Sequence, residues 1–140
     1  MAAESVFADS AFFYALVDRR AAAHRAAVEA LHSLASDQRP LISTDYVVDE
    51  ALTLAKSRAG SLAAIRLLDR IEATALMRMD WIGPARFAAA KAFFRKHLDH
   101  GYSFTDCTSF VDMRELKITD ALTTDGHFAE AGFRPLLPAV

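Results

Sequence analysis

Short apolar runs alternate with longer amphipathic stretches along this chain. The first apolar run, which ends at Asp9, predicts a strand, and so do the runs at residues 41–44, 75–79 and 121–124. Residues 133–137 predict a last edge strand or tail. Apolar residues recur at helical spacing over residues 11–17, 21–36, 46–58, 61–73, 84–100, 105–117 and 128–131. Strands separated by helices are typical of a parallel sheet with helices on both faces. We therefore predict one α/β domain, residues 1–140: a three-layer α/β/α sandwich with a four- to five-stranded, mainly parallel sheet.

Local signals refine this interpretation. Asp45 is placed to cap the helix over residues 46–58, and Gly60 separates that helix from the next. An Asp-Gly pair at residues 125–126 predicts a turn. The core face of the helix over residues 61–73 is expected to consist of four apolar side chains: Leu62, Ile65, Leu68 and Ile71.

Composition narrows the class of protein. The chain has 140 residues, of which 53% are hydrophobic and 24% charged, as expected of a globular domain. Its net charge of −2 gives no basic excess but does not exclude a local basic surface for nucleic acid. The longest uncharged stretch, residues 10–17, is far shorter than the ~20 residues of a membrane span. With one cysteine and no signal-peptide pattern, we expect a cytoplasmic protein.

Four carboxylates occupy related positions. Asp9 and Asp125 each follow a predicted strand, and Glu50 and Asp106 each lie in the first turns of a predicted helix. Each has a structural alternative: a helix cap for Asp9, a surface acid for Glu50, a capping box with Ser103 for Asp106, and a turn for Asp125. Because ligands bind at the carboxyl ends of parallel strands, we expect all four to converge there.

Such a cluster predicts a metal site. Neighbouring carboxylates repel one another and raise their own pKa values, and a hard divalent cation relieves this repulsion. A cation held in this way activates water and offsets charge on a phosphodiester transition state. Asp49 points further from the apolar face than Glu50, and Asp120, at the other end of its strand, is expected to be a solvated loop acid. We assign no role to Asp112.

Four segments in order resemble the motifs of PIN-domain proteins, and most closely the VapC-type toxins of type II toxin–antitoxin systems. The segments are Val-Phe-Ala-Asp-Ser at residues 6–10, Thr-Asp-Tyr-Val-Val-Asp-Glu at 44–50, Tyr-Ser-Phe-Thr-Asp-Cys at 102–107 and Leu-Thr-Thr-Asp-Gly-His-Phe at 122–128. Each segment alone is weakly specific. Their shared order over essentially the whole chain is strongly specific.

The resemblance implies an endoribonuclease that depends on Mg²⁺ or Mn²⁺. It makes Asp9 and Asp106 the core metal ligands, with Glu50 and Asp125 completing the catalytic acidic pocket directly or through water. Ser10 and Thr124 would supply hydroxyls that orient carboxylates or water. The resemblance also implies a homodimer and a protein antitoxin that covers the acidic site.

RNA binding requires cationic contacts. Arg86, Lys91, Arg95 and Lys96, with His97, lie on one predicted helix, and Arg19, Arg20, His24 and Arg25 form a second group. A solvated helix face is the alternative for both groups. His127 is expected to be a surface residue and Cys107 a small packed residue. Four phenylalanines are expected to be core or dimer contacts: Phe12, Phe13, Phe93 and Phe94.

Two other functions compete with the toxin. A PIN-domain nuclease that processes RNA without an antitoxin would carry the same acids. A phosphorylatable receiver-like α/β domain also has an Asp after its first strand, but it needs an acidic pair there and a Lys near the last strand. Here Asp9 stands alone and no Lys follows Lys117.

Overall fold

The computed structural model describes residues 4–138. The strands are β1 Val6–Ala8, β2 Leu41–Thr44, β3 Met77–Asp80, β4 Asp120–Leu122 and β5 Arg134–Pro135. The helices are α1 Ser10–Val17, α2 His24–Ser36, α3 Asp45–Ala59, α4 Ser61–Ala73, α5 Gly83–Lys96, α6 Phe104–Leu116 and α7 Gly126–Glu130. In this part of the chain, no helix combines the length and the apolar character required to cross a membrane.

The five strands form one parallel sheet in the order β3-β2-β1-β4-β5. The predicted α/β class with a four- to five-stranded, mainly parallel sheet is therefore confirmed. β1 is the central strand, and its last residue, Ala8, pairs with Leu122 of β4. Asp9 follows β1 directly, so the register places it beside the residues that follow β4.

Right-handed crossovers determine which helices cover each face. The connections through α1–α4 run from β1 towards β3, whereas those through α5–α7 run back from β3 towards β5. The two groups of helices therefore lie on opposite faces, as a three-layer sandwich requires. Large side chains fill the core between the layers, including Phe7, Phe12, Phe110 and Phe128, which are fully buried. Cys107 is buried as well, as predicted.

The predicted core face of α4 is partly wrong. Leu62 and Ile65 are 63% and 54% exposed, whereas Ala63, Leu67 and Ile71 are buried. The buried residues recur every four positions, so they form one stripe along the helix. The sequence prediction followed the largest side chains and overlooked Ala63, whose small size allows α4 to approach its neighbours closely.

Several boundaries also differ from the prediction. The side chain of Thr44, not Asp45, caps α3, since its hydroxyl accepts from the amide of Val47 at 3.1 Å. Asp45 instead accepts a hydrogen bond from the amide of Ile82 at 2.9 Å. The segment expected to be a turn at Asp125 is the start of α7, because Asp125 caps that helix by accepting from the amide of His127 at 2.9 Å.

Asp120 is not the solvated loop acid that the sequence predicted. It begins β4, is 7% exposed, and lies between two arginines. Its carboxylate accepts from Arg39 Nη2 at 2.7 Å and from Arg134 Nε and Nη2 at 2.8 Å each. The hydrogen bonds from Arg134 and Arg39 hold the pKa of Asp120 below its usual range. This cluster lies at the amino end of the strands, away from the four acids predicted to converge.

Candidate active site

Asp9 lies at the carboxyl end of the central strand. It occupies the position before α1, but within residues 4–138 its side chain makes no capping hydrogen bond. Instead, its Oδ2 accepts from the hydroxyl of Thr123 at 2.8 Å, and the residue is only 3% exposed. A buried carboxylate needs a compensating partner. The helix-cap alternative for Asp9 therefore fails to account for its side chain.

Glu50, on α3, approaches the start of α1. The hydroxyl of Ser10, the residue after Asp9, donates a hydrogen bond to Glu50 Oε1. Asp49, the neighbouring acid, is exposed. This contact agrees with the expectation that Glu50 rather than Asp49 faces the strand ends, and it links the first turns of α1 and α3.

Asp106 combines two functions that the sequence presented as alternatives. It forms the capping box at the start of α6: its amide donates to Ser103 Oγ at 3.0 Å, and its Oδ2 accepts from the Ser103 amide at 3.0 Å. The same Oδ2 lies 3.4 Å from His127 Nδ1. The capping box therefore fixes the carboxylate in position without directing it away from the other acids.

Asp125 is held by the segment that follows β4. Its amide donates to the hydroxyl of Thr123 at 2.9 Å, and that hydroxyl donates in turn to Asp9. Asp125 Oδ1 lies 3.4 Å from His127 Nδ1. One oxygen from Asp106, one from Asp125 and one ring nitrogen of His127 all lie within 4.8 Å of one another.

Electrostatics set these acids apart from ordinary surface carboxylates. The pKa of Asp9 is raised to about 7, mainly by burial and to a smaller extent by the nearby charges of Asp106 and Asp125, while hydrogen bonds from Thr123 and Ser10 oppose the rise. Burial also raises the pKa of Asp106, with a contribution from Asp125. Without a counter-charge, this group of carboxylates resists full ionisation at neutral pH.

The donor set fits a divalent cation. Carboxylate oxygens are the ligands that Mg²⁺ and Mn²⁺ prefer. Burial, with a smaller contribution from the neighbouring acids, raises the pKa of Asp9 and of Asp106, so a bound cation would favour their ionised forms. The group formed by Asp106, Asp125 and His127 is thus a candidate metal site beside Asp9.

Two features of the site differ from the sequence expectation. The hydroxyl that contacts Asp9 belongs to Thr123, which is buried, and not to the partly exposed Thr124. His127, expected on the surface, is only partly exposed and faces two of the acids. The position of His127 two residues after a strand-end acid was the available sequence signal, but its direction depends on the start of α7.

The predicted cationic group on α5 does not act as one unit. Arg86 is engaged by three acids: its Nη1 lies 2.9 Å from Asp80 Oδ2, and its Nε lies 2.7 Å from Glu115 Oε2 and 3.3 Å from Asp112 Oδ1. Lys91 lies over the ring of Phe87, 5.5 Å from its centroid. Lys91, Arg95 and Lys96 are exposed. Arg86 therefore joins α5 to α6 and β3, whereas the other three remain available to a ligand.

Asp112 belongs to the α5–α6 cluster, formed by Arg86 with Asp80, Asp112 and Glu115, and not to the group of acids at the strand ends. It is fully buried, and neither of its oxygens accepts a hydrogen bond from the described residues. Burial, followed by the neighbouring Asp80, raises the pKa of Asp112. The ion pair with Arg86 is its charge compensation. The absence of a role for Asp112 in the sequence prediction agrees with this separate location.

Comparison with known proteins supports the architecture and the class. The family model described as "PIN domain" matches residues 6–134. The chain belongs to the PIN-domain family, as the resemblance of its four motifs indicated. The segments that carry Asp9, Glu50, Asp106 and Asp125 all fall within the matched residues.

Individual relatives define the class more narrowly. The chain is 31% identical over 134 residues to the 23S rRNA-specific endonuclease VapC20 of Mycobacterium tuberculosis, in strains CDC 1551 / Oshkosh and H37Rv, covering 95% of this chain and 98% of the relative. A crystal structure of M. tuberculosis VapC20, described as a sarcin-ricin loop cleaving toxin, matches with a TM-score of 0.83 and 30% identity. That match covers 96% of this chain and 100% of the other. The predicted resemblance to VapC-type proteins is confirmed.

Proposed function

We propose that this protein is a metal-dependent endoribonuclease and the toxin of a VapBC-type toxin–antitoxin pair. The observation that carries the proposal is the convergence of Asp9, Asp106 and Asp125, with Glu50 joined to them through Ser10. Relatives similar over nearly the whole chain are named as 23S rRNA endonucleases. Ribosomal RNA is therefore the first substrate to test.

The residues have distinct proposed roles. Asp9 and Asp106 hold a Mg²⁺ or Mn²⁺ ion, and Glu50 and Asp125 complete the pocket directly or through water. Ser10 and Thr123 keep Glu50 and Asp9 in position by hydrogen bonds. When bound, the cation supplies Lewis-acid stabilisation of the phosphodiester and an activated water for in-line attack, leaving 5′-phosphate and 3′-hydroxyl ends.

RNA binding requires cations beside the acidic pocket. Lys91, Arg95 and Lys96 are exposed on α5, whose neighbour α6 carries Asp106. We assign phosphate contacts to these three residues and exclude Arg86, whose guanidinium already has three acidic partners. The proposal includes a homodimer and a protein antitoxin that covers the acidic pocket with a basic side chain.

The proposal is tested by an RNA cleavage assay with purified, antitoxin-free protein. Cleavage is expected with Mg²⁺ or Mn²⁺ and is expected to stop on chelation. Asp106→Asn is expected to lower the rate at least ~100-fold, because loss of a ligand removes several kcal/mol of stabilisation. Asp49→Asn is the matched control, since Asp49 is an exposed acid beside Glu50. Cleavage that persists after chelation and in Asp106→Asn would contradict the mechanism.

The toxin assignment needs a separate test. Co-expression with the product of a small neighbouring reading frame is expected to yield a complex that does not cleave RNA. A PIN-domain nuclease that acts in RNA processing would cleave at the same acids but would have no such inhibitor. Growth arrest on induced expression, relieved by the neighbouring gene, would separate the two functions.

A further inference from the structure

We infer that His127 is itself a ligand of the cation, through Nδ1, and that this nitrogen makes the site select Mn²⁺ over Mg²⁺. The inference rests on the proposed function, because it concerns the same site. It adds a ligand of a different chemical type to the four carboxylates, and it specifies which of the two metals the site prefers.

The distances around Nδ1 support this inference. Nδ1 lies 3.4 Å from Asp106 Oδ2 and 3.4 Å from Asp125 Oδ1. Two adjacent ligands of an octahedral ion at ~2.1 Å are about 3 Å apart. The spacing between Nδ1 and each carboxylate therefore approximates that of atoms sharing one ion. It is also long for an aligned hydrogen bond between a nitrogen and a carboxylate oxygen.

The other ring nitrogen faces a third carboxylate. His127 Nε2 lies 3.8 Å from Glu130 Oε2, one turn along α7. Histidines that bind metals usually donate their second N–H to a carboxylate, carbonyl or water, which fixes the tautomer. A neutral imidazole can direct a lone pair from Nδ1 towards the acids only if Nε2 carries the proton. The Glu130 carboxylate, at 3.8 Å beyond direct hydrogen-bond distance, favours that tautomer through its charge.

The surroundings restrict the ring to this orientation. Tyr102 packs edge-on against it, with ring centroids 5.4 Å apart. Gly101 also lies close to the His127 ring, since a Cβ at residue 101 would stand 3.2 Å from His127 Nε2. Asp125 fixes the backbone by accepting from the His127 amide. The imidazole is therefore directed towards the acids by contacts from two segments, residues 101–102 and Asp125.

The nature of the donor atom gives the metal preference. Mg²⁺ strongly favours oxygen ligands and octahedral water, whereas imidazole suits transition metals. One imidazole nitrogen among carboxylate oxygens lowers the relative affinity for Mg²⁺ and retains Mn²⁺. Replacing Nδ1 with an oxygen at the same place is expected to reverse part of this preference.

The experiment measures metal binding without RNA. Mn²⁺ is titrated into the full-length, metal-free protein and followed by electron paramagnetic resonance, and bound Mn²⁺ is examined by electron spin-echo modulation for coupled ¹⁴N. Mg²⁺ affinity is measured by competition. The variants are His127→Asn, which places an oxygen or amide near the position of Nδ1, and His32→Asn, a control at an exposed histidine on α2. Thermal denaturation shows that each variant is folded.

We expect nitrogen modulation in the wild type and in His32→Asn, and its loss in His127→Asn. The Mn²⁺ dissociation constant is expected to rise at least ~10-fold in His127→Asn, with a smaller change for Mg²⁺. Asp106→Asn identifies the site. Mn²⁺ binding that depends on Asp106 but shows no His127 nitrogen would overturn this inference and leave the nuclease assignment intact. Mn²⁺ binding indifferent to Asp106→Asn would contradict both.

Discussion

The hydroxyl of Thr123 donates a hydrogen bond to Asp9 Oδ2 across 2.8 Å, although the two residues are 114 positions apart in sequence. The contact joins the carboxyl ends of neighbouring strands β1 and β4. Thr123 also accepts from the amide of Asp125. One side chain therefore aligns two of the acids in the proposed active site.

Thr123→Val is expected to impair the protein more than Thr124→Val. Loss of a hydrogen bond to a charged group costs about 1.5–3 kcal/mol, and Asp9 would lose its buried donor. Chemical denaturation and RNA cleavage measure the two effects, and Thr123→Ser should restore most of both. If Thr124→Val proved the more damaging change, the hydroxyl assignment would be wrong.

Asp9 is expected to make the metal-free protein less stable as pH rises. The pKa of Asp9 is about 7 in the folded state, against 3.8 for an unperturbed Asp side chain, so the folded state binds this proton more tightly than the unfolded state does. Between about pH 4 and 7 the free energy of unfolding therefore falls, because Asp9 ionises freely in the unfolded state but stays protonated when buried in the folded state. The loss is complete above about pH 7 and amounts to a few kcal/mol.

Asp9→Asn isolates this effect. In the presence of chelator, the variant should match the wild type at or below about pH 4 and become progressively more stable than it up to pH 8, as measured by urea denaturation. Added Mn²⁺ should stabilise the wild type at pH 8 and not the variant, because ligand binding favours the folded state. A difference between the two proteins that does not grow with pH would exclude this account of Asp9.

Asp120 is expected to affect stability without affecting chemistry. Asp120→Asn removes the charge that lies between Arg39 and Arg134. Because Arg134 is largely exposed, the cost should be moderate, about 1–3 kcal/mol. The pKa of Asp120 is lowered in the folded state, so its contribution is present at neutral pH and lost as pH falls through that pKa. Cleavage per folded molecule should stay at the wild-type value.

Arg86 is expected to be a structural residue. Arg86→Met would leave Asp112 buried with no cation beside it; because the Arg86 side chain is 25% exposed and the raised pKa of Asp112 lets that carboxyl take up a proton, the cost is expected to be about 1–3 kcal/mol. Denaturation should show the loss, while RNA affinity, measured by filter binding on folded protein, should change little. Arg95→Met, at an exposed position on the same helix, should lower RNA affinity and leave the free energy of unfolding nearly unchanged.

Asp112 gives a matched test of the same cluster. Because its pKa is raised, Asp112→Asn should be tolerated in stability, and Asp112→Ala should keep most RNA cleavage per folded molecule. A loss of cleavage by folded Asp112→Ala as large as that of Asp106→Asn would mean that the active site extends to the α5–α6 cluster.

The sequence by itself determined the order of strands and helices and the position of the four acids within them. The apolar runs and helical periods are local, and a parallel arrangement places every strand's carboxyl end on one side. For this reason Asp9 and Asp125 could be assigned to one region before any contact was known.

Only the tertiary structure decided which neighbours complete these acids. The register of β1 against β4 selects Thr123 over Thr124 as the partner of Asp9. The start of α7 turns His127 inward, and two arginines from distant segments bury Asp120. These outcomes depend on side chains that meet across more than ten residues of sequence. Local periodicity does not predict these long-range contacts, because they depend on how whole helices and strands pack against one another.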